Sequence, residues 1–160
     1  MREATPARLR TQARRWWAQD GLDLVIVDYV QRMQAGTPAD RYNRVQALAE
    51  ITGGLKDLAG ELNIPVLAAA QVGRQVDDRK DKRPMLADLR ESASLEMDSD
   101  VVMFIYRDDY YFPDTEKPNV AEIIVAKHRN GPTGTVDIYF KKELAQFSDL
   151  HTRKVNMMDF

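Results

Sequence analysis

Two short apolar runs, each stopped by one polar residue and separated by a long amphipathic stretch, constrain this 160-residue chain more than any other feature. The first is Leu24-Val25-Ile26-Val27, ending at Asp28; the second is Ile64 to Ala70, ending at Gln71. Runs this short and apolar read as strands covered on both faces, as in parallel sheets. Between them Val45, Leu48, Ile51, Leu55, Leu58 and Leu62 recur every three or four residues from Arg41 to Asn63, which is the stripe of one long amphipathic helix. Gly53-Gly54 in its middle costs about 1 kcal/mol per glycine relative to alanine and marks either a kink or a tight packing contact.

The flanks extend this pattern. Thr5-Pro6 supplies a capping hydroxyl and a first-turn proline, and Leu9, Ala13, Trp16 and Trp17 follow at helical spacing until Asp20-Gly21. Five arginines (Arg2, Arg8, Arg10, Arg14, Arg15) against Glu3 give that stretch a charge of +4. It serves either as a solvated polar face or as a subunit or nucleic-acid contact. Arg74 to Glu91 is a loop with six basic and five acidic residues, and Val101 to Tyr106 is a third buried strand. Ala121–Lys127 and Thr135–Phe140 are strands joined through Asn130-Gly131, the turn chemistry of an antiparallel hairpin. The stretch beyond has no period and is expected to trail along the surface. Strand, helix, strand, loop, strand, hairpin is an α/β order with a mainly parallel sheet flanked by helices. Ligands of such sheets collect beyond the carboxyl ends of the strands, where Asp28, Gln71 and Arg107 fall.

Composition narrows the chemistry. With no cysteine, disulfides, thiolate metal sites and cysteine nucleophiles are excluded, and His128 and His151 alone do not make a histidine metal centre. No apolar run approaches the ~18 residues of a membrane helix. A net charge of −2 gives no global attraction to nucleic acid, so any such contact rests on local patches.

Taken singly, the strand-end residues are ambiguous. An aspartate closing an apolar strand holds magnesium in nucleotide-dependent phosphotransferases, or merely caps a turn. Gln71 either senses a γ-phosphate or bonds loop backbone. Lys127 and Arg129 occupy alternate positions at a strand end, where two cations either stabilise phosphoryl charge or form surface ion pairs.

Four spellings in order are far more specific: Asp28-Tyr29-Val30-Gln31-Arg32-Met33, Leu86-Ala87-Asp88-Leu89-Arg90-Glu91-Ser92, Phe104-Ile105-Tyr106-Arg107-Asp108 and Ala126-Lys127-His128-Arg129-Asn130-Gly131-Pro132. The chain from about Thr5 to about Leu150 resembles the DnaB-type replicative DNA helicases, in the later part of their RecA-like motor domain. The resemblance implies a RecA-like P-loop NTPase core using ATP and Mg2+, with residues 1–150 as a partial motor domain from Walker B onward and 151–160 as a tail. It makes Asp28 the magnesium-organising Walker B aspartate and Gln71 the glutamine that couples γ-phosphate to the DNA-binding loops. Lys127 and Arg129 become the pair inserted, in arginine-finger fashion, into a neighbouring subunit's ATP site. Arg90, Glu91, Ser92 and Ala93 align with the loop that follows single-stranded DNA, and Arg74 adds a phosphate contact. A strand-tracking loop needs cations and backbone N–H groups rather than base-reading side chains. The implied partners are single-stranded DNA, a homohexameric ring, a helicase loader and a primase, with no membrane, in the cytoplasm of a bacterial or phage-infected cell.

Three departures stand against the family pattern. Ala93 replaces a usual glycine, Gly53-Gly54 replaces ordinary helix formers, and no Gly-Lys dipeptide of a P-loop occurs in the 160 residues. The first strand and P-loop of the core are thus absent, and in the family they lie upstream of the Walker B strand. The expectation is a helicase portion that is inactive alone, marginally stable or self-associating. The alternative is a catalytically dead DNA- or helicase-binding module from a phage or mobile element.

Overall fold

The computed structural model describes residues 4–150, with the side chains of residues 41–42 and 90–92 outside the description. The described chain divides into two units: residues 4–76 with 86–99, and residues 77–85 with 100–150.

The first unit opens with α1 (Pro6–Gln19), capped as its sequence predicts: the Arg8 N–H donates to Thr5 Oγ1 at 3.3 Å. The chain leaves α1 through Gly21, at φ +79°, a conformation glycine adopts without a Cβ penalty. Strands β1 (Val25–Val27) and β2 (Val66–Ala68) pair in parallel, Ile26 opposite Leu67. The predicted single helix over 41–63 is interrupted, giving α2 (Ala39–Tyr42) and α3 (Arg44–Leu62). The break is Asn43, whose extended backbone and side chain cap α3 by accepting the Gln46 N–H at 3.0 Å. The apolar stripe begins only at Val45, so its period marks α3, while the capping side chain of Asn43 sets where that helix starts. The diglycine lies within one continuous helix, and a Cβ on Gly54 would stand 2.7 Å from Pro6 Cβ. The glycine therefore permits a close α1–α3 packing contact rather than a kink.

Val30, Leu48, Ile51 and Leu58 are fully buried beneath these elements. The two strands are not covered on both faces, however: Ile26 is 65% and Leu67 49% exposed. Successive side chains alternate across a strand, and α1 and α3 pack on the face of Val25, Val27 and Val66. The unit closes with a 3-10 segment (Leu86–Ser92) and α4 (Ala93–Asp98), which packs on α3 through Leu95 and a 2.5 Å hydrogen bond from Thr52 Oγ1 to Asp98 Oδ2.

The second unit is an antiparallel sheet in the order β3 (Val101–Arg107), β4 (Val120–His128), β5 (Gly134–Lys141) and β6 (Gln146–Ser148), with α5 (Asp108–Tyr111) after β3. The α/β class holds, as does the β4–β5 hairpin. Two details differ. The Val101 run lies in the antiparallel sheet, paired with β4, not in the parallel one, and part of the stretch expected to trail forms β6. β3 is likewise covered on one face, with Phe104 and Tyr106 buried while Met103 and Ile105 are more than half exposed. In the hairpin loop a Cβ on Gly131 would run into the His128 ring, so glycine admits the close turn.

Candidate nucleotide and strand-contact sites

Parallel pairing brings Asp28 and Gln71 to one edge. β1 and β2 run the same way, so their carboxyl ends emerge side by side, and the ladder continues past them: the Ala69 N–H donates to Val27 O at 2.9 Å and the Val30 N–H to Ala69 O at 3.0 Å. Gln31, two residues beyond a peptide bond that is cis between Asp28 and Tyr29, then bridges to the second exit. Its Nε2 donates to Gln71 O, and the Gln71 N–H donates to its Oε1, both at 3.2 Å. Arg44, from α3, donates to Gln31 O at 2.7 Å and steadies the bridge.

The loop that follows is closed by Asp40, which accepts N–H bonds from Ala35 at 2.8 Å and Gly36 at 2.7 Å. Those bonds, Ala35 foremost, hold the Asp40 carboxyl below its ordinary range. An open cleft of about 920 Å3 lies beside the exit of β1, lined by Arg8, Leu9, Gln12, Ile26, Asp28 and Arg32. Asp28 lines it with Arg8 and Arg32, beside apolar Leu9 and Ile26.

Asp28 fits a magnesium role of a limited kind. No cluster of three metal-ligating side chains occurs among the described residues, so they do not form a closed cation cage. Magnesium at phosphoryl-transfer sites keeps several waters and takes one or two carboxylates plus phosphate oxygens, a demand a single exposed aspartate meets. When bound, the ion would neutralise phosphate charge, and Asp28 would orient its waters.

Lys127 and Arg129 lie in the sheet unit at the end of β4, half-buried and exposed respectively. Arg129 is anchored to the start of β3: its N–H donates to Asp100 O at 2.8 Å and its Nη1 stands 3.0 Å from Asp100 Oδ1. Arg107, grouped with Asp28 and Gln71 as a strand-end residue, belongs instead to the antiparallel sheet. It is committed there to Asp109 at 3.0 Å and stacks 4.3 Å above the Phe140 ring.

Arg74 opens a 3-10 turn (Arg74–Asp78) and is exposed. The backbone of Arg90, Glu91 and Ser92 lies in the second 3-10 segment; their side chains fall outside the described residues. Ala93 starts α4 without a positive φ, so alanine in place of glycine carries no backbone strain. Residue-by-residue reading missed Gln31, Arg44 and Asp40. A hint was available in the Gln31 amide, which sits shortly after a strand-ending aspartate and has both a donor and an acceptor to spend.

A parallel pair backed by helices in one unit and an antiparallel sheet in the other match part of a RecA-like fold. Comparison with known structures agrees. One solved ATPase domain superposes with a TM-score of 0.88 at 40% identity, over 92% of this chain and 52% of that one. A DnaB-like replicative helicase, solved in a study of its interactions with primase, matches at TM-score 0.88 and 39% identity, over 94% of this chain and 37% of that one. The family model of the DnaB-like helicase C-terminal domain matches residues 1–149, and the chain belongs to that family. Among curated relatives, the replicative DNA helicase DnaB of Geobacillus stearothermophilus is 48% identical over 145 residues, 91% of this chain. The replicative DNA helicase DnaC of Bacillus subtilis is 47% identical over 147 residues, 92% of this chain. The chain spans about a third of the length of these curated relatives, 32% of each.

Proposed function

We propose that this chain is the Walker B-onward part of the motor of an ATP-dependent, hexameric replicative helicase that moves along single-stranded DNA and unwinds duplex. Asp28 orients magnesium-bound water at the phosphates. Gln71 detects the γ-phosphate and passes its presence toward the segment that begins at Arg74. Lys127 and Arg129 act in trans, entering the site of the next subunit and stabilising the charge that develops during phosphoryl transfer. Arg74 and the Arg90–Ala93 segment follow the DNA backbone, with loader and primase as further partners of the ring. The 160 residues alone neither bind ATP tightly nor hydrolyse it, because they contain no Gly-Lys of a P-loop.

The observation that carries this reading is the joined exit of β1 and β2, where Gln31 ties the Gln71 backbone beside Asp28 in a chain 48% identical to a replicative helicase. The test grafts these residues into the Geobacillus stearothermophilus helicase in place of their counterpart. The graft is expected to form rings and hydrolyse ATP, and Asp28→Asn is expected to lower turnover by orders of magnitude while single-strand binding survives. A graft that assembles and binds the strand without hydrolysing ATP overturns the reading in favour of a DNA-binding module. For the isolated chain, calorimetric titration with MgATP is expected to give no micromolar binding.

A further inference from the structure

Glu122, the third residue of β4, is a carboxylate 6% exposed on a strand paired with β3 and β5. Burying an ionised carboxylate costs several kcal/mol unless it is paired and hydrogen-bonded. Its partner comes from 39 residues upstream. Arg83 Nε donates to Glu122 Oε2 and Arg83 Nη2 to Oε1, both at 2.7 Å, a two-pronged fork that lysine cannot reproduce. Lys117 Nζ adds a looser contact at 3.7 Å. The same guanidinium lies 4.5 Å above the ring of buried Tyr106, whose hydroxyl donates to Asp108 Oδ1 at 2.5 Å.

The segment around Arg83 has further ties: Lys82 Nζ lies 5.7 Å from the centre of the Tyr111 ring and donates to Asp77 O. Within it Arg79 Nη2 donates to Arg83 O at 2.8 Å, and Asp81 Oδ1 accepts the Arg83 N–H at 3.0 Å. These local bonds shape residues 77–85 around the arginine, while the fork fastens them to β4. Residues 77–85 belong to the sheet unit, whereas residues up to 76 and 86–99 belong to the other. Five and seven positions along from Glu122 stand Lys127 and Arg129. Arg74 stands three residues before this segment in the chain, and Arg90–Ala93 begins five residues after it.

We propose that Arg83 and Glu122 form a positioning clasp that makes residues 77–85 move with the strand bearing Lys127 and Arg129, so that DNA contact in the flanking segments alters ATP turnover. The clasp rests on the functional reading above and adds to it the route of DNA stimulation. Arg83 and Glu122 are positioning residues in this proposal. Each acts through the segment it holds.

The experiment uses the grafted full-length helicase and measures basal turnover, turnover saturated with single-stranded DNA, and DNA affinity. Arg83→Ala leaves a buried charge and risks misfolding, so the decisive variant is the double replacement Arg83→Met with Glu122→Met, which removes both charges and leaves neither partner as a buried unpaired polar group. It is expected to retain rings, basal turnover and DNA affinity, and to lose DNA stimulation by roughly 5- to 100-fold, the usual range of coupling between sites. Arg83→Lys, which keeps the charge without the fork, should recover part of the stimulation. Amide hydrogen exchange in residues 77–85 should quicken in the double variant. Full stimulation in the double variant overturns the proposal, as does an equal fall of basal and stimulated turnover. If the unaltered graft shows no ATP turnover, the functional reading itself fails and the clasp falls with it; a graft that turns over ATP but ignores DNA refutes the clasp alone.

Discussion

Gln31 and Gln71 exchange two hydrogen bonds at 3.2 Å, amide to carbonyl and N–H to amide oxygen, across the exits of β1 and β2. A side chain that satisfies both backbone groups of its neighbour fixes where that neighbour starts, and Gln71 is the residue proposed above to sense the γ-phosphate. The bonds are solvent-exposed, so Gln31→Ala should cost the fold no more than about 1 kcal/mol. In the grafted helicase the same change should lower kcat several-fold with little change in KM for ATP, since it disturbs positioning and not binding. Steady-state kinetics decide the point, and unchanged kcat would remove Gln31 from the site.

The adjacent glycines of α3 make a matched pair. Gly53 has open space where a Cβ would go, whereas at Gly54 the added carbon would meet Pro6 Cβ at 2.7 Å and Cγ at 3.2 Å. Gly53→Ala should stabilise by about 1 kcal/mol through helix propensity. Gly54→Ala gains the same propensity but forces α1 away from α3, at an overpacking cost of roughly 1–3 kcal/mol. Thermal melts should therefore move in opposite directions, Gly53→Ala up and Gly54→Ala down by a few degrees. A rise for both would mean that α1 yields freely.

What was legible in the sequence was local. Thr5-Pro6 announces its helix because the cap and the first-turn proline act within four residues, and Asn130-Gly131 announces its hairpin for the same reason. Asp28 and Gln71 were found as strand-end residues, and their adjacency follows from parallel pairing alone. Strand partnership is not local. Nothing in Val101–Arg107 distinguishes a parallel from an antiparallel neighbour, and the exposure of Ile26 and Leu67 depends on which face the helices choose. Asn43 stands before Val45, where the apolar stripe begins, so the stripe's period carries no sign of the break at that residue. The Arg83–Glu122 pair spans 39 residues, and its one sequence trace is a charged residue inside an apolar strand.

Acid should weaken the sheet unit through carboxylates whose pKa falls on folding. Glu122 lies below its ordinary 4.5 chiefly because Arg83 donates to it, and Asp108 lies below 3.8 because Thr115 and Tyr106 donate to it. A lowered folded-state pKa contributes stability above the unfolded value, and that stability is lost as pH falls through the folded one. The melting midpoint should accordingly be level from pH 7 to about 5 and fall below 4.5. Glu122→Gln should melt lower at pH 7, with the gap from the parent narrowing as pH drops. A gap independent of pH would mean that the Glu122 charge does not stabilise the fold.

Arg129 allows stability and function to be separated. Its ion pair with Asp100 is half exposed on both sides, 50% and 54%, and such pairs contribute about 0–1 kcal/mol. The backbone bond from Arg129 to Asp100 O survives any side-chain change. Arg129→Ala should therefore melt with the parent while turnover in the grafted ring falls by about 10³–10⁵, the range for removal of an arginine finger. The sharper expectation concerns mixtures. An Arg129→Ala subunit keeps Asp28, and an Asp28→Asn subunit keeps Arg129. Where the two meet in the right order in a mixed ring, one interface regains both groups. Two preparations that are each inactive should thus recover ATP turnover on co-assembly if Arg129 works in trans, and should stay inactive if it serves its own subunit's site.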